Sequence, residues 1–235
     1  TCTIMSSTNT ASDELREILT EYFNHNRNIP DIESVKNLLT QVSEDLRYEL
    51  LSSITDSDGN TVLTVAAYRG HTELCVTLLS SLPPADRLKL ILVDDITALH
   101  WAAFHGDTET VSGILSCLTA EQQLQLLFTQ SNAGNTALHD AALQGHTETV
   151  KTLLDNLTPE QQLQLLRTQD SNGDTALHRA AQLGHKETMK TLLDNHTPEQ
   201  QLKLLFTQDS DGDTALHNAA LRGHTETVKT LLDNL

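Results

Sequence analysis

Aromatic residues are scarce in this sequence: one Trp, three Tyr and four Phe among 235 residues. A core built without them must be filled by Leu, Ala and Val. Basic residues are also in short supply, with 15 Lys and Arg against 32 Asp and Glu and a formal charge of −17. Nucleic-acid backbones are held by clustered Lys and Arg, so this balance argues against a nucleic-acid partner. A charge of this size keeps copies of a protein apart and equally attracts a basic partner. The cysteines, Cys2, Cys75 and Cys117, are odd in number and contain no C-x-x-C pair. No disulfide framework is expected, in keeping with a reducing, cytoplasmic setting. No apolar run approaches the ~18 residues of a membrane span, and no signal-peptide pattern opens the chain, so membrane insertion is not expected. There is no glycine-rich phosphate loop, and no Ser/His/Asp or Cys/His pairing has a supporting context. The chain reads as a non-enzyme, with no catalytic residue and no cofactor.

What the sequence does have is a period. Thr175 to Gly184 reads Thr-Ala-Leu-His-Arg-Ala-Ala-Gln-Leu-Gly, and close copies begin at Thr97, Thr136 and Thr214, with a looser one at Thr61. Their spacings are 36, 39, 39 and 39 residues. A fixed period of this length is the signature of stacked repeats, in which each unit packs only on its neighbours.

Residues 1–11 are rich in Ser, Thr and Asn and are expected to be a disordered tail or tag remnant. Ser12 or Asp13 should then cap a helix to about Asn24, with Leu15, Ile18, Leu19 and Phe23 at helical spacing. Helices follow over Asp31 to Val42 and Ser43 to Ile54, with Val35, Leu38 and Leu39, then Leu46, Leu50 and Leu51, as their apolar sides. Residues 12–60 read as a helical N-terminal cap, a degenerate repeat with a longer, more polar first helix.

Residues 61–235 read as five units, the last incomplete, with three helices in each regular unit. The first runs from an N-cap at Thr136 to a stop at Gly145. The second spans about Thr147 to Asn156, with Val150, Leu153 and Leu154 inward. The third begins at Thr158-Pro159-Glu160-Gln161, a capping box with proline in the first turn, and Leu163 and Leu166 form its apolar side. Asp170-Ser171-Asn172-Gly173 closes the unit as a turn.

Thr-x-Leu-His-x-Ala-Ala-x-x-Gly followed by His-Thr-Glu-Thr-Val-Lys-Thr-Leu-Leu resembles the ankyrin repeat, in five phased copies over residues 58–235. Ala98, Ala137, Ala176 and Ala215 stand where that family usually has Pro. The period of 39 exceeds the family's period of about 33, and the surplus lies between the second helix and the turn, where the Thr-Pro-Glu-Gln helix replaces a short link. The resemblance implies an all-α, ankyrin-type solenoid with three helices per repeat and an N-terminal helical cap. It also implies a protein-binding scaffold whose first helices line a concave face. Arrays of nearly identical copies in this family include effectors that intracellular bacteria deliver into host cells. The resemblance thus further implies such an effector, with a host protein as partner and the host cytosol as its place of action.

His100, His139, His178 and His217 recur on the first helices. Packed helices stand ~8–10 Å apart, too far for successive rings to share one ion, and in the family this His bonds neighbouring backbone. No metal site is expected. Asp209-Ser210-Asp211-Gly212-Asp213 has Gly and its acidic residues at the wrong places for a calcium loop and reads as a turn.

The copies disagree at positions five, eight and nine of the first helix. These are Trp101, Phe104 and His105; Asp140, Leu143 and Gln144; Arg179, Gln182 and Leu183; Asn218, Leu221 and Arg222; and in the loose copy Val65, Tyr68 and Arg69. Spacing of i, i+3, i+4 puts each trio on one helical face, opposite the Leu and two Ala that pack inward. Solvent-exposed drift would scatter differences elsewhere as well, yet Thr147, Glu148 and Gln161 hardly vary. The stripe also carries Trp, Phe, Tyr and Arg, types favoured at binding hot spots. The expected partner-binding residues are Tyr68, Arg69, Trp101, Phe104, His105, Asp140, Gln144, Arg179, Gln182, Asn218 and Arg222, with Phe128 and Phe206 either extending the patch or packing on a neighbour. The chain stops within a unit, its last apolar helix bare. Two alternatives follow: a targeting arm for a catalytic domain outside these residues, or a monomer that self-associates weakly through that end.

Overall fold

A computed structural model of the chain describes residues 2–24, 29–155 and 157–233. Thr1, Asn156, Asn234 and Leu235, on which some expected boundaries fall, lie outside the described residues. Every named element is helical. Helices α1 (Cys2–Asn24), α2 (Ile32–Gln41) and α3 (Glu44–Ser53) come first. The first helices of the repeats are α4 (Val62–Tyr68), α7 (Ala98–His105), α10 (Ala137–Gln144), α13 (Ala176–Leu183) and α16 (Ala215–Leu221). The second helices are α5 (Thr72–Ser80), α8 (Thr108–Ser116), α11 (Thr147–Leu154), α14 (Lys186–Leu193) and α17 (Thr225–Leu232). The third are α6 (Pro84–Ile91), α9 (Ala120–Leu127), α12 (Pro159–Leu166) and α15 (Pro198–Leu205). Among the described residues no helix is long and apolar enough to cross a membrane.

The third helix follows from its capping box. Thr158 N–H donates to Gln161 Oε1 at 2.9 Å, and Gln161 N–H donates back to Thr158 Oγ1 at 3.3 Å. Thr197 and Gln200 repeat the exchange at the same two distances. The next residue ties this helix to the one before it: Gln162 and Gln201 each donate at 2.9 Å to the carbonyl of Leu154 or Leu193 at the end of the second helix. The surplus residues of each unit are therefore a helix stapled to its neighbour.

Two compact units make up the chain, one of Thr1–Leu99 and Ser112–Gln123, the other of His100–Val111 and Leu124–Leu235. In the first, arginine replaces the stapling Gln and reaches further. Arg87 donates to Leu82 O at 3.0 Å and to Cys117 O at 2.8 Å. Arg47 makes the matching pair to Val42 O at 3.0 Å and Ser81 O at 2.7 Å, so the α2–α3 pair is joined to the repeat after it as α5–α6 is. Where Thr64 replaces the recurrent His, the Asp94 carboxylate takes over its capping task, accepting from Thr61 N–H at 3.1 Å and from Thr61 Oγ1 at 2.7 Å.

Several expectations are corrected. Helix α1 starts at Cys2 and takes in residues 2–11, so its onset is not capped at Ser12 or Asp13. Leu46 is exposed: the buried residues of α3 are Leu50 and Leu51, and it is the neighbouring Arg47 that faces the carbonyls of Val42 and Ser81. Leu15 and Leu19, Val35, Leu38 and Leu39, then the Leu and paired Ala of α10 and α13, are buried as read, whereas Ile18, Phe23 and Leu163 are only half-buried and Tyr22 and Leu165 are the buried residues beside them. Each fully buried Leu contributes roughly 1.5–3 kcal/mol.

Candidate functional site

Helices α10 and α13 are fixed from both ends by histidine. Thr136 N–H donates to His139 Nδ1 at 3.2 Å, with Thr136 Oγ1 2.8 Å from the same nitrogen. A backbone N–H can only donate, so Nδ1 carries no proton and Nε2–H must donate to the Asp174 carbonyl, 3.1 Å away in the next repeat. His178 binds Thr175 and the Asp213 carbonyl in the same way, and His100 Nε2 reaches the Asn135 carbonyl at 2.9 Å. Burial holds the His139 imidazole down to about 4, which keeps it neutral as this arrangement requires.

At the other end a second histidine, two residues past the helix, reaches back one repeat. His146 Nε2 lies 3.1 Å from Phe104 O, His185 Nε2 2.9 Å from Leu143 O, and His224 Nε2 3.1 Å from Gln182 O. The ring passes directly over the glycine that ends the preceding first helix, and a Cβ on Gly145 (φ +76°) would stand 2.5 Å from His185 Nδ1. Position eight of α7, α10 and α13 is thus pinned through its carbonyl. The turns are joined as well, by Gln130 Nε2 to Gln169 O at 2.9 Å and Gln169 Nε2 to Gln208 O at 2.8 Å.

On this framework Trp101, Phe104 and His105 form one cluster. Trp101 meets Phe104 edge-on at 6.0 Å between centroids and lies nearly parallel to His105 at 6.1 Å. Trp101, Phe104, Asp140, Gln182 and Asn218 are half-buried, while His105, Gln144 and Arg222 are exposed. Leu183 and Leu221 on the same positions are also exposed, Leu221 to 80%. Tyr68, in the other unit, is half exposed.

Two expected contact residues are instead committed internally. Arg179 Nε donates to Asp170 Oδ2 at 2.8 Å, a second guanidinium nitrogen shares that oxygen, and the third lies 3.6 Å from Asp174. Arg69 donates to the carbonyls of Tyr22 and Phe23 at 2.7 and 3.3 Å and stacks 4.6 Å above the Tyr22 ring. Both arginines satisfy carbonyls or carboxylates that would otherwise be buried unpaired.

Asp140 has the opposite character. Its carboxylate makes no hydrogen bond or ion pair with any described residue, and burial pushes it up to about 7 against the opposing pull of Arg179. Burial raises Asp174 as well, again against Arg179.

Phe206 is 65% exposed and Phe128 half-buried, so Phe206 in particular does not serve as core. The Asp209 turn is a turn: Asp209 Oδ1 accepts from the N–H groups of Asp211 and Asp213, both at 2.9 Å. Among the described residues no group of three metal-capable side chains converges.

Sequence reasoning missed an apolar-walled groove of about 820 Å³ in the first unit, between α2 and α5, with Leu39, Thr72, Val76 and Thr77 on its walls and Lys36 and Glu73 beside them. It is lined from α2, α3 and α5, and no residue of the variable stripe is among its lining. The available signal was Val76, which stands where Lys151, Lys190 and Lys229 stand in later copies.

The family model described as ankyrin repeats (three copies) matches residues 25–125, 86–165, 118–203 and 160–235. The crystal structure of EF0377, an ankyrin repeat protein, is similar with a TM-score of 0.68 at 25% sequence identity, over 92% of this chain and 96% of that one. A search of curated proteins returned no match.

Proposed function

Because this chain belongs to the ankyrin-repeat family, a family of protein-interaction scaffolds, we propose that it is a non-enzymatic scaffold holding one partner protein on its first-helix face. The observation that carries this reading is the confinement of variation to positions five, eight and nine of the first helices, off the His, Thr and backbone bonds that join repeat to repeat. The four close copies spend their His, Thr, Leu and Ala on the repeat-to-repeat joints and the core, and those residues recur unchanged among the four. Trp101, Phe104, His105, Asp140, Gln144, Gln182, Asn218 and Arg222 are the contact residues, all in the second unit. Arg179 supports the surface from behind.

Hydrogen-exchange mass spectrometry of the chain with and without a partner captured from cell lysate tests the choice of face. Protection gathered on α7, α10, α13 and α16 supports it, and protection confined to α11, α12, α14 and α15 overturns it. The near-identity of the copies supports the further reading that the partner is a host protein met by a delivered bacterial effector. A translocation reporter fused to the chain tests this: signal in the host cytosol supports it, and retention in the bacterium contradicts it.

A further inference from the structure

Position five of the first helix reads Trp101, Asp140, Arg179 and Asn218 along the second unit. The copy with Arg179 shows how a cation is received there: its guanidinium meets Asp170 and Asp174, five residues and one residue before Thr175. In the copy with Asp140 the same two places hold Ser131 and Asn135, and the amide oxygen of Asn135 is buried with no hydrogen-bond partner. This copy keeps one orphaned acceptor, Asn135 Oδ1, carries a carboxylate, Asp140, at position five, and lacks the cation. Arg179 cannot supply one, since Asp170 and Asp174 already occupy its guanidinium. The carboxylate of Asp140 is half-buried and finds no donor among the described residues, and the whole chain carries −17.

One repeat earlier stands the Trp101, Phe104 and His105 cluster, on a helix fixed to the Asp140 copy through the Asn135 carbonyl and His146. First helices packed in this way lie about 8–10 Å apart, the reach of an extended Arg or Lys beside a neighbouring apolar residue. Aromatic faces attract a guanidinium or ammonium group as they attract apolar groups.

Building on the first-helix reading above, we propose that the unpartnered Asp140 carboxylate receives an Arg or Lys side chain from a basic segment of the partner, while an adjacent apolar residue of that segment rests on the Trp101 and Phe104 rings. The cation completes the acceptor set of Asp140 and Asn135 as Arg179 completes that of the next copy. The occupant is a peptide segment of alternating basic and apolar character.

Selection of a random peptide library displayed on phage against the full chain tests this. Trp101 is the only tryptophan, so its fluorescence reports binding directly. The expected consensus has an Arg or Lys next to an apolar residue. Asp140→Asn, or Gln in place of the peptide's cation, should each weaken binding by about ten-fold or more, with the two losses largely overlapping in the double variant. A consensus without a cation, or equal affinity for Asp140→Asn, overturns the proposal while peptides that still perturb Trp101 leave the first-helix reading standing. Peptides that leave Trp101 fluorescence unchanged and bind Phe104→Ala at full strength would overturn both.

Discussion

Arg179 and Asp170, nine residues apart, are locked together, with Nε 2.8 Å from Oδ2. The Asp170 side chain has no exposure, and its other oxygen accepts from the N–H groups of Asn172 and Asp174 at 2.8 and 3.1 Å. A residue that looks like a contact arginine in the sequence therefore holds the turn in front of its own helix. Arg179→Ala leaves a buried carboxylate unpaired and should cost about 3 kcal/mol, read as a drop of several degrees in the thermal midpoint. Asp170→Asn in the same chain should return part of that loss. An unchanged midpoint with lost partner affinity would make Arg179 a contact residue after all.

The glycines that end the first helices divide by what lies over them. Gly145 and Gly223 have nearly the same backbone, φ +76° and +74°, but His185 crowds the first and nothing stands within 4 Å of a Cβ on the second. Gly223→Ala should cost the left-handed backbone penalty, about 1–2 kcal/mol. Gly145→Ala should cost at least ~1 kcal/mol more, because the ring of His185 must leave its bond to the Leu143 carbonyl. Urea midpoints of the two variants measure the difference, and equal losses would refute the close approach.

Neighbouring residues His139 and Asp140 oppose each other in pH. The folded-state value of His139 is lowered to about 4 from 6.5, so its contribution is complete above 6.5 and is lost as pH falls toward 4. The folded-state value of Asp140 is raised to about 7 from 3.8, so its ionisation costs nothing below 3.8 and the full penalty above 7. That penalty corresponds to roughly 4 kcal/mol at most, reduced by the water that reaches a half-buried carboxylate. Asp140→Asn should match the parent near pH 4 and exceed it in stability by a margin that grows up to pH 7. Thermal melts at pH 4, 5.5 and 8 check the trend, and a gain that shrinks with rising pH would show that the carboxylate is not desolvated.

In the first unit, Arg69 holds the end of α1. Its bonds to the Tyr22 and Phe23 carbonyls and its stacking on Tyr22 are together worth about 1–3 kcal/mol. Arg69→Ala should speed amide exchange in α1 by about ten-fold or more while leaving α13 to α15 unaffected. Unchanged exchange in α1 would return Arg69 to the list of contact residues.

What could be read from the sequence was local or periodic. The capping box of Thr158 and Gln161 spans three residues and announces α12. Leu177, Ala180 and Ala181 are marked as core by recurring in phase. The commitments of Arg69 and Arg179 could not be read in this way, since an arginine side chain is long enough to face either way and its partners are 46 or 47 residues off in one case and nine in the other. The onset of α1 at Cys2 was hidden because a Ser/Thr/Asn-rich segment has weak helix propensity. The lone carboxylate of Asp140 needed the structure too: only the folded chain shows that it finds no donor among the described residues and that Asn135 Oδ1 is left without a partner.

The account rests on Trp101 and Phe104 facing a partner and not serving as core, and one paired measurement decides this. Partner affinity and thermal midpoint should be taken together for Trp101→Ala/Phe104→Ala and for Gln161→Ala/Gln200→Ala on the third helices. The predicted result is at least about ten-fold weaker binding in the first variant, a midpoint within a few degrees of the parent, and full affinity in the second. Full affinity in the Trp101→Ala/Phe104→Ala chain would contradict the assignment of the first-helix stripe as the binding face.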